Sequence, residues 1–530
     1  MKNYLNSILI FLFLLIPVIT ISVLMGINGF MLKILVKETL YNVTILVFIL
    51  LFVYFIKRRI LKKIVAIIFF IPFYSILFVK IFTLVNFFNF IDNAVLYTVF
   101  ETNYSELTGF FSSYSKWYHG LFIISYFYIL IKIILNSTFT LNFKIKKAFY
   151  VLPVIFICSA VSYRFYERSL SLLVFNTYLE YKTFSEEVSK EISKRESKYF
   201  SNVANNDEEA LYVVIIGEST TRANMGIYGY YRNTNPNLRK IKNELHLFKD
   251  VISPHTHTIL SLDKVLSLGD YYNPDNNKLG TVIQLANQAG FETYWLSNQK
   301  PIGAYESLIS LYAKASKHQF YVSNFYGQNN KYDEVLFPKL QETINKKDRK
   351  KMIFVHLQGT HISYEQRYPE SYQFFKDRPQ TKFPSEEAFK LINDYDDAVR
   401  YNDYVVYQII DKVKNANKNS YVVYFSDHGE EIFHDKDYFG HYEGIGTNAM
   451  FEIPFIVWTS EKYNEQSQIN FEDKLDRKYN LEDFIYSFSE LSRISFDQFQ
   501  SEKSIFNSGF KYKNRVILKN INYDERLKKE

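Results

Sequence analysis

The apolar residues of this chain fall into two regimes. Over the first 170 or so positions they run in five long blocks, at 5–25, 41–56, 64–85, 117–135 and 148–165. Each is near the length that crosses a bilayer as a helix, the second and fifth being short. Beyond about position 210 the blocks shrink to strand length, at 211–216, 292–297, 352–357, 420–426 and 452–458. Between them lie stretches of helical spacing, among them 259–268, 281–288 and 395–414. Short β-branched runs alternating with helices predict an α/β/α domain with a mostly parallel sheet. The pattern divides the chain into a five-helix transmembrane domain at 1–167 with a loop at 86–116, a charged linker with surface helices at 168–209, and a soluble domain at 210–530. No internal repeat is visible, and the basic tail after Asn514 reads as peripheral.

Charge orients the membrane half. The first block is too long for a signal peptide and no small-residue cleavage pattern follows, so it reads as a retained helix. The second connection holds Lys57, Arg58, Arg59, Lys62 and Lys63, and the fourth holds Lys144, Lys146 and Lys147. Short basic connections stay in the cytoplasm, which places the N-terminus inside and everything after the fifth block outside. The net charge of +7 is accounted for by this topology and does not argue for nucleic acid. The single cysteine, Cys158, lies in an apolar block. It excludes an intrachain disulfide and any thiol chemistry in the soluble half. In the third connection, Thr102 and Glu106 stand four apart. On a helix they share a face and can offer a hydroxyl and a carboxylate to a cationic head group, or simply form a solvated helix end.

The soluble strands carry the chemistry at their ends. The run at 211–216 stops at Gly217-Glu218; that at 420–426 stops at Asp427-His428-Gly429-Glu430; that at 352–357 runs into Gln358-Gly359-Thr360-His361. Ligands bind at the carboxyl ends of strands in open α/β sheets. Singly, each end reads equally as loop polarity or a helix cap. Three together point to a metal site compatible with zinc or manganese. Nine of the ten histidines lie between His246 and His441, in the same half. A fourth ligand is available from Ser253-Pro254-His255-Thr256-His257-Thr258, just before a helical stretch. A threonine at a helix start sits among free amides that can hold a phosphoryl group. A metal lowers its hydroxyl pKa. On this ground alone Thr258 reads as a plain N-cap.

At this point the residues resemble a family. Gly217-Glu218-Ser219-Thr220-Thr221-Arg222, Tyr228-Gly229-Tyr230 and Arg232-Asn233-Thr234-Asn235-Pro236 resemble the phosphoethanolamine transferases of Gram-negative envelopes, within the alkaline-phosphatase and sulfatase superfamily. So do the blocks from Phe354 to His361, Ser426 to Glu431 and Pro454 to Trp458. The resemblance covers nearly the whole chain, including five preceding spans. It implies a multi-pass protein of the bacterial inner membrane with its catalytic domain in the periplasm. It implies a zinc ion, less readily manganese, on Glu218, Thr258, Asp427 and His428, with Thr258 as nucleophile. That threonine attacks phosphatidylethanolamine, releases diacylglycerol, and passes phosphoethanolamine to an acceptor such as lipopolysaccharide core or lipid A. His361 and His441 match positions for a second metal or the donor, and Thr102 and Glu106 match the part of the loop that receives the ethanolamine.

Three features depart from the family pattern. Lipid A-modifying members carry disulfides that this chain lacks, which aligns it with the branch acting on the core or on several acceptors. Thr256 shares the nucleophile loop, although the helix start and the spacing favour Thr258. His434 competes with His441 for the late histidine role; the glycine-flanked context of His441 favours it. Two rivals share the layout: a glycerol-phosphate transferase of the lipoteichoic-acid-synthase kind, and a catalytically dead membrane scaffold. A sulfatase activity is disfavoured, since no Cys/Ser-x-Pro-x-Arg sequence occurs in the soluble half.

Overall fold

A computed structural model describes residues 29–87, 91, 96, 99–100, 117–136, 147–166, 169–299, 308–322, 332–518 and 520–526. The predicted block at 5–25, and Thr102 and Glu106, lie outside them. The described residues up to Lys182 form one compact unit and those from Thr183 onward a second.

The first unit is helical. Four of the apolar blocks lie in helices: Gly29–Phe55, Arg59–Phe87, Trp117–Asn136 and Lys147–Arg164. Two segments within them, Val36–Phe55 and Arg59–Lys80, are long and apolar enough to cross a membrane. Phe52, Ile68, Ile124 and Phe156 point outward. Inside, Glu38 and Lys80 form a buried ion pair, the arrangement that lets charges persist in an apolar helix pair. The helix Leu170–Ile192 follows.

The second unit is built on a seven-stranded sheet. Its strands are β1 Ala210–Gly217, β2 Leu245–Phe248, β3 Glu292–Ser297, β4 His318–Tyr321, β5 Lys350–His356, β6 Ser420–Ser426 and β7 Phe455–Thr459. Their order is β2-β7-β6-β1-β5-β3-β4. Pairings are parallel except those of β7, which runs against both β2 and β6. Every residue of β1 is buried. Tyr212, Val214 and Ile216 enter one apolar core and Leu211, Val213 and Ile215 another, so the sheet is covered on both faces. This is the sandwich expected from continuous apolar strands. Register then sets the site. Ile216 pairs with His356 and Gly217 with Ser426, which brings three strand ends to one level.

Two expectations need correction. The helix predicted over 395–414 spans Glu386–Asn415, capped where Ser385 Oγ accepts from Ala388 N at 3.0 Å. Its early turns carry Glu386, Glu387, Asp394, Asp396 and Asp397, whose charge masks the helical period. The tail after Asn514 is not peripheral. Arg515 is 1 % exposed and bonds Asp250 and Asp524, while Val516, Ile517 and Tyr523 are buried. Its basic composition conceals a cation that is matched by carboxylates.

Candidate metal centre and active site

The centre begins at a strained turn. Directly after β1, Glu218 is followed by Ser219 at φ +55, a left-handed conformation that costs a non-glycine residue of order 1–3 kcal/mol. Several bonds hold it there. Ser219 N donates to Asp427 Oδ1 at 3.0 Å. Tyr395 Oη donates to Ser219 O at 2.8 Å and accepts from Thr221 N at 2.9 Å. Thr360 Oγ1 donates to the same carbonyl at 2.8 Å. The turn aims the Glu218 carboxylate across the ends of β1 and β6. Two glycines let the neighbouring segments close in. A Cβ on Gly359 would stand 2.6 Å from Glu218 O, and one on Gly429 would stand 2.1 Å from Ala449 O.

Four predicted residues converge here. His428 Nε2 lies 3.3 Å from Glu218 Oε1 and 3.4 Å from Asp427 Oδ2. Thr258 Oγ1 donates to Glu218, 3.2 Å from each oxygen. Thr258 is the first residue of the helix Thr258–Val265, and His257 stands at its N-cap position without a capping side-chain bond. The N-cap reading of Thr258 is thereby set aside. Thr256 is fully buried and its hydroxyl has no partner.

The donor set fits a divalent cation. Asp427 Oδ1 is occupied by backbone amides, whereas Oδ2 is buried and unpartnered. His428 Nδ1 lies 2.8 Å from Gly429 O. It must therefore carry a proton there, so Nε2 is the atom left for a cation, and that atom too has no hydrogen-bond partner. Glu218, Asp427 and His428 each offer one atom within 4.8 Å of the others. Two buried carboxylates facing one imidazole are short of positive charge. Burial and the Glu218 charge push the Asp427 carboxyl up. Burial opposes the charged form of His428, yet Asp427 and Glu218 raise its pKa. A group that takes up protons when it stands alone is one that a metal ion would satisfy.

Beside it lies a second cluster. His441 Nδ1 is 2.6 Å from Glu430 Oε2, and Tyr364 Oη donates to Glu430 Oε1 at 2.5 Å. The ring of His441 is 4.3 Å from that of His428 and 6.2 Å from that of His361. Burial pushes His361 down to about 3 and also lowers His441, so both are neutral near pH 7. His428, Glu430 and His441 form another set with metal-ligand spacing. His434 bonds Asn224 Oδ1 at 2.7 Å instead.

Sequence reading missed three participants. Gln299 Nε2 donates to Glu218 Oε2 at 3.2 Å. It sits just past β3, so a fourth polar strand end was there to be noticed. Glu430 follows Asp427-His428-Gly429 directly, but nothing in the sequence links it to His441. Tyr395 comes from a helix and gives no local signal.

The sulfatase family model matches residues 210–494, more than half of the chain. Phosphoethanolamine transferase EptC of Escherichia coli strain K12 is 36 % identical over 327 residues, 60 % of this chain and 56 % of that protein. The chain thus spans little more than half of that curated relative. The C-terminal periplasmic domain of the Escherichia coli protein, in complex with zinc, superposes with a TM-score of 0.59 at 34 % identity, covering 62 % of this chain and 96 % of that one. The integral membrane protein EptA from Neisseria meningitidis matches over 95 % of this chain and 98 % of its own, with a TM-score of 0.70 at 20 % identity, a likeness of fold. With its sheet, strand-end residues and matched region taken together, the chain belongs to the sulfatase family.

Proposed function

We propose that this chain transfers phosphoethanolamine from phosphatidylethanolamine to an envelope acceptor, lipopolysaccharide core or lipid A, through a covalent adduct on Thr258. The observation that carries the reading is the Thr258 hydroxyl, at a helix start and 3.2 Å from both oxygens of Glu218. The names of the relatives support it, as does the zinc in the complex of the Escherichia coli domain.

Glu218, Thr258, Asp427 and His428 would hold zinc, and His361, Glu430 and His441 a second ion or the donor. Bound zinc supplies a lowered hydroxyl pKa at Thr258 and positive charge for the phosphoryl oxygens. Glu218 orients the Thr258 hydroxyl and draws on its proton. Thr258 Oγ1 attacks phosphorus, the bond from phosphorus to the diacylglycerol oxygen breaks, and that oxygen leaves with a proton. That proton is the one Glu218 draws from Thr258; His441, neutral and with its Nδ1–H held by Glu430, keeps an Nε2 lone pair that takes the acceptor's proton in the second step. An acceptor oxygen then attacks phosphorus, the Thr258 bond breaks, and the threonine hydroxyl returns. Amides at the helix start hold the phosphoryl oxygens in both steps.

The domain division follows the same reading. Residues 1–167 cross the inner membrane five times, 168–209 link, and 210–530 work in the periplasm. Thr102 and Glu106 receive the ethanolamine. Mass spectrometry of the tryptic peptide holding Thr258, after incubation with phosphatidylethanolamine, tests the reaction. A phosphoethanolamine mass that vanishes in Thr258→Ala is expected. A glycerol-phosphate mass after incubation with phosphatidylglycerol, with no adduct from phosphatidylethanolamine, establishes the rival transferase. An adduct that persists in Thr258→Ala and vanishes in Thr256→Ala moves the nucleophile.

A further inference from the structure

The proposed reaction gives His255 and His257 no task, yet both are buried beside the nucleophile. They meet on one carboxylate. His255 Nδ1 lies 3.0 Å and 3.2 Å from the two oxygens of Glu443, and His257 Nε2 lies 3.1 Å from Oε2. The backbone of His257 is extended, so alternate residues leave opposite faces. One face of the loop is fastened to Glu443 while Thr258 turns to Glu218.

Glu443 stands two residues beyond His441 in the same loop. It therefore ties the segment that presents Thr258 to the segment that presents His441. The first of these is buried, with the His255 ring stacked on Tyr271, but its polar ties are few. A backbone bond secures Ser253 to Phe451, and Ser261 Oγ donates to Asp427 O at 2.5 Å. Between those two points, the side-chain bonds and ion pairs to other segments, among the described residues, are the Thr258 contact with Glu218 and the two histidine contacts with Glu443. Without Glu443, the side-chain bond left between this stretch and another segment, among the described residues, is that of the very hydroxyl that has to react.

We propose that Glu443 is a positioning residue, which through His255 and His257 locks the nucleophile loop to the His441 loop so that both are placed as one unit. Its effect on turnover rests on the transferase reading given above; the lock itself rests on contacts alone.

Hydrogen exchange followed by mass spectrometry, on the full chain in detergent micelles, tests the lock without any substrate. In Glu443→Gln the amides of 253–262 and 440–446 are expected to exchange about tenfold faster together, while 210–217 and 420–426 keep their original rates. His255→Asn gives the same pattern, and the double variant adds nothing to either. Unchanged exchange at 253–262 overturns the proposal, as does loosening that spreads to the strands. If Glu443→Gln does not fold, His255→Asn carries the same reading. With phosphatidylethanolamine as donor, Glu443→Gln is expected to lose kcat about 10- to 100-fold, with KM within about twofold. A loss confined to KM overturns the proposal. Failure of the unmutated chain to transfer would sink the transferase reading and leave the exchange pattern to decide the lock.

Discussion

Two clusters share His428, and they are held in place by different means. Glu218, Asp427 and His428 extend directly from β1 and β6, whose pairing through Gly217 and Ser426 fixes their level. Glu430, His441 and His361 lie on the loops beyond. Their placement depends on side-chain bonds such as the chain from Tyr364 through Glu430 to His441. The sheet supplies positions that no single side chain can upset. The loops supply positions that one substitution can release. The first kind suits ligands of a tightly bound ion; the second suits groups that must adjust as a donor and then an acceptor arrive.

The largest effect should come from charge removal in the sheet-held cluster. Asp427→Asn keeps the shape of the side chain and the bonds to Oδ1, but takes away the charge that balances a cation. Bound zinc, measured by elemental analysis of the purified chain, is expected to fall by at least about tenfold, and transfer by about a thousandfold or more. Strand order should survive, since β6 is buried throughout. An Asp427→Asn chain with full zinc and full turnover would remove the distinction between the clusters.

The same division explains what could be read from sequence. The runs that form β1, β5 and β6 are continuous and apolar because both faces of the sheet are covered, so their carboxyl ends could be placed to within one residue. β2 escaped notice because Leu245–Phe248 is four residues long and interrupted by His246. The predicted start of β7 at Glu452 was early: Pro454 cannot join a ladder there, and Glu452 is used on Arg222 instead. The sheet-held residues were therefore legible. The roles of Glu430 and Glu443 were not, because they arise from contacts between segments far apart in sequence.

A scaffold effect independent of both clusters comes next. Asp403 lies on the helix Glu386–Asn415, where it accepts from Asn237 N at 2.8 Å and Leu238 N at 3.0 Å. Burial nevertheless raises its pKa to about 6, from an ordinary 3.8. Between those values the folded chain keeps a proton that the unfolded chain has released. Stability contributed here therefore falls as pH rises from about 4 to 6, by up to about 3 kcal/mol, and is level above that. Unfolding midpoints of the full chain across pH 4–7 should show the slope, to which buried Asp396, Asp397 and Asp483 add in the same window, and Asp403→Asn should reduce it without changing zinc content at pH 7. A slope that persists unchanged in Asp403→Asn assigns it elsewhere.

The loop-held cluster should respond more gently than the sheet-held one. Glu430→Gln leaves a side chain of the same shape but weakens the bond that orients His441. Transfer is expected to fall about 10- to 100-fold while zinc at Glu218, Asp427 and His428 stays near its original level. If zinc falls in step with activity, Glu430 is itself an indispensable ligand and the two clusters are one.

The smallest effect tests how far loop placement depends on the C-terminal tail. Tyr523 is 1 % exposed, and its hydroxyl donates to Glu452 Oε1 at 2.8 Å. Glu452 in turn faces Arg222 Nη2 at 3.5 Å, and its carbonyl accepts from Arg222 N at 3.0 Å. The tail thus touches the segment that continues from the Glu218 turn. Tyr523→Phe deletes one bond and keeps the packing, and Glu452 keeps Arg222 as a partner. Stability should drop by about 1 kcal/mol, read as a shift in the denaturation midpoint. Turnover should stay within about twofold, because Tyr395 and Thr360 still hold Ser219. A larger loss of turnover would mean that the turn at Glu218 is set by the tail as well as by β1, and the sheet-held cluster would lose its independence from the loops.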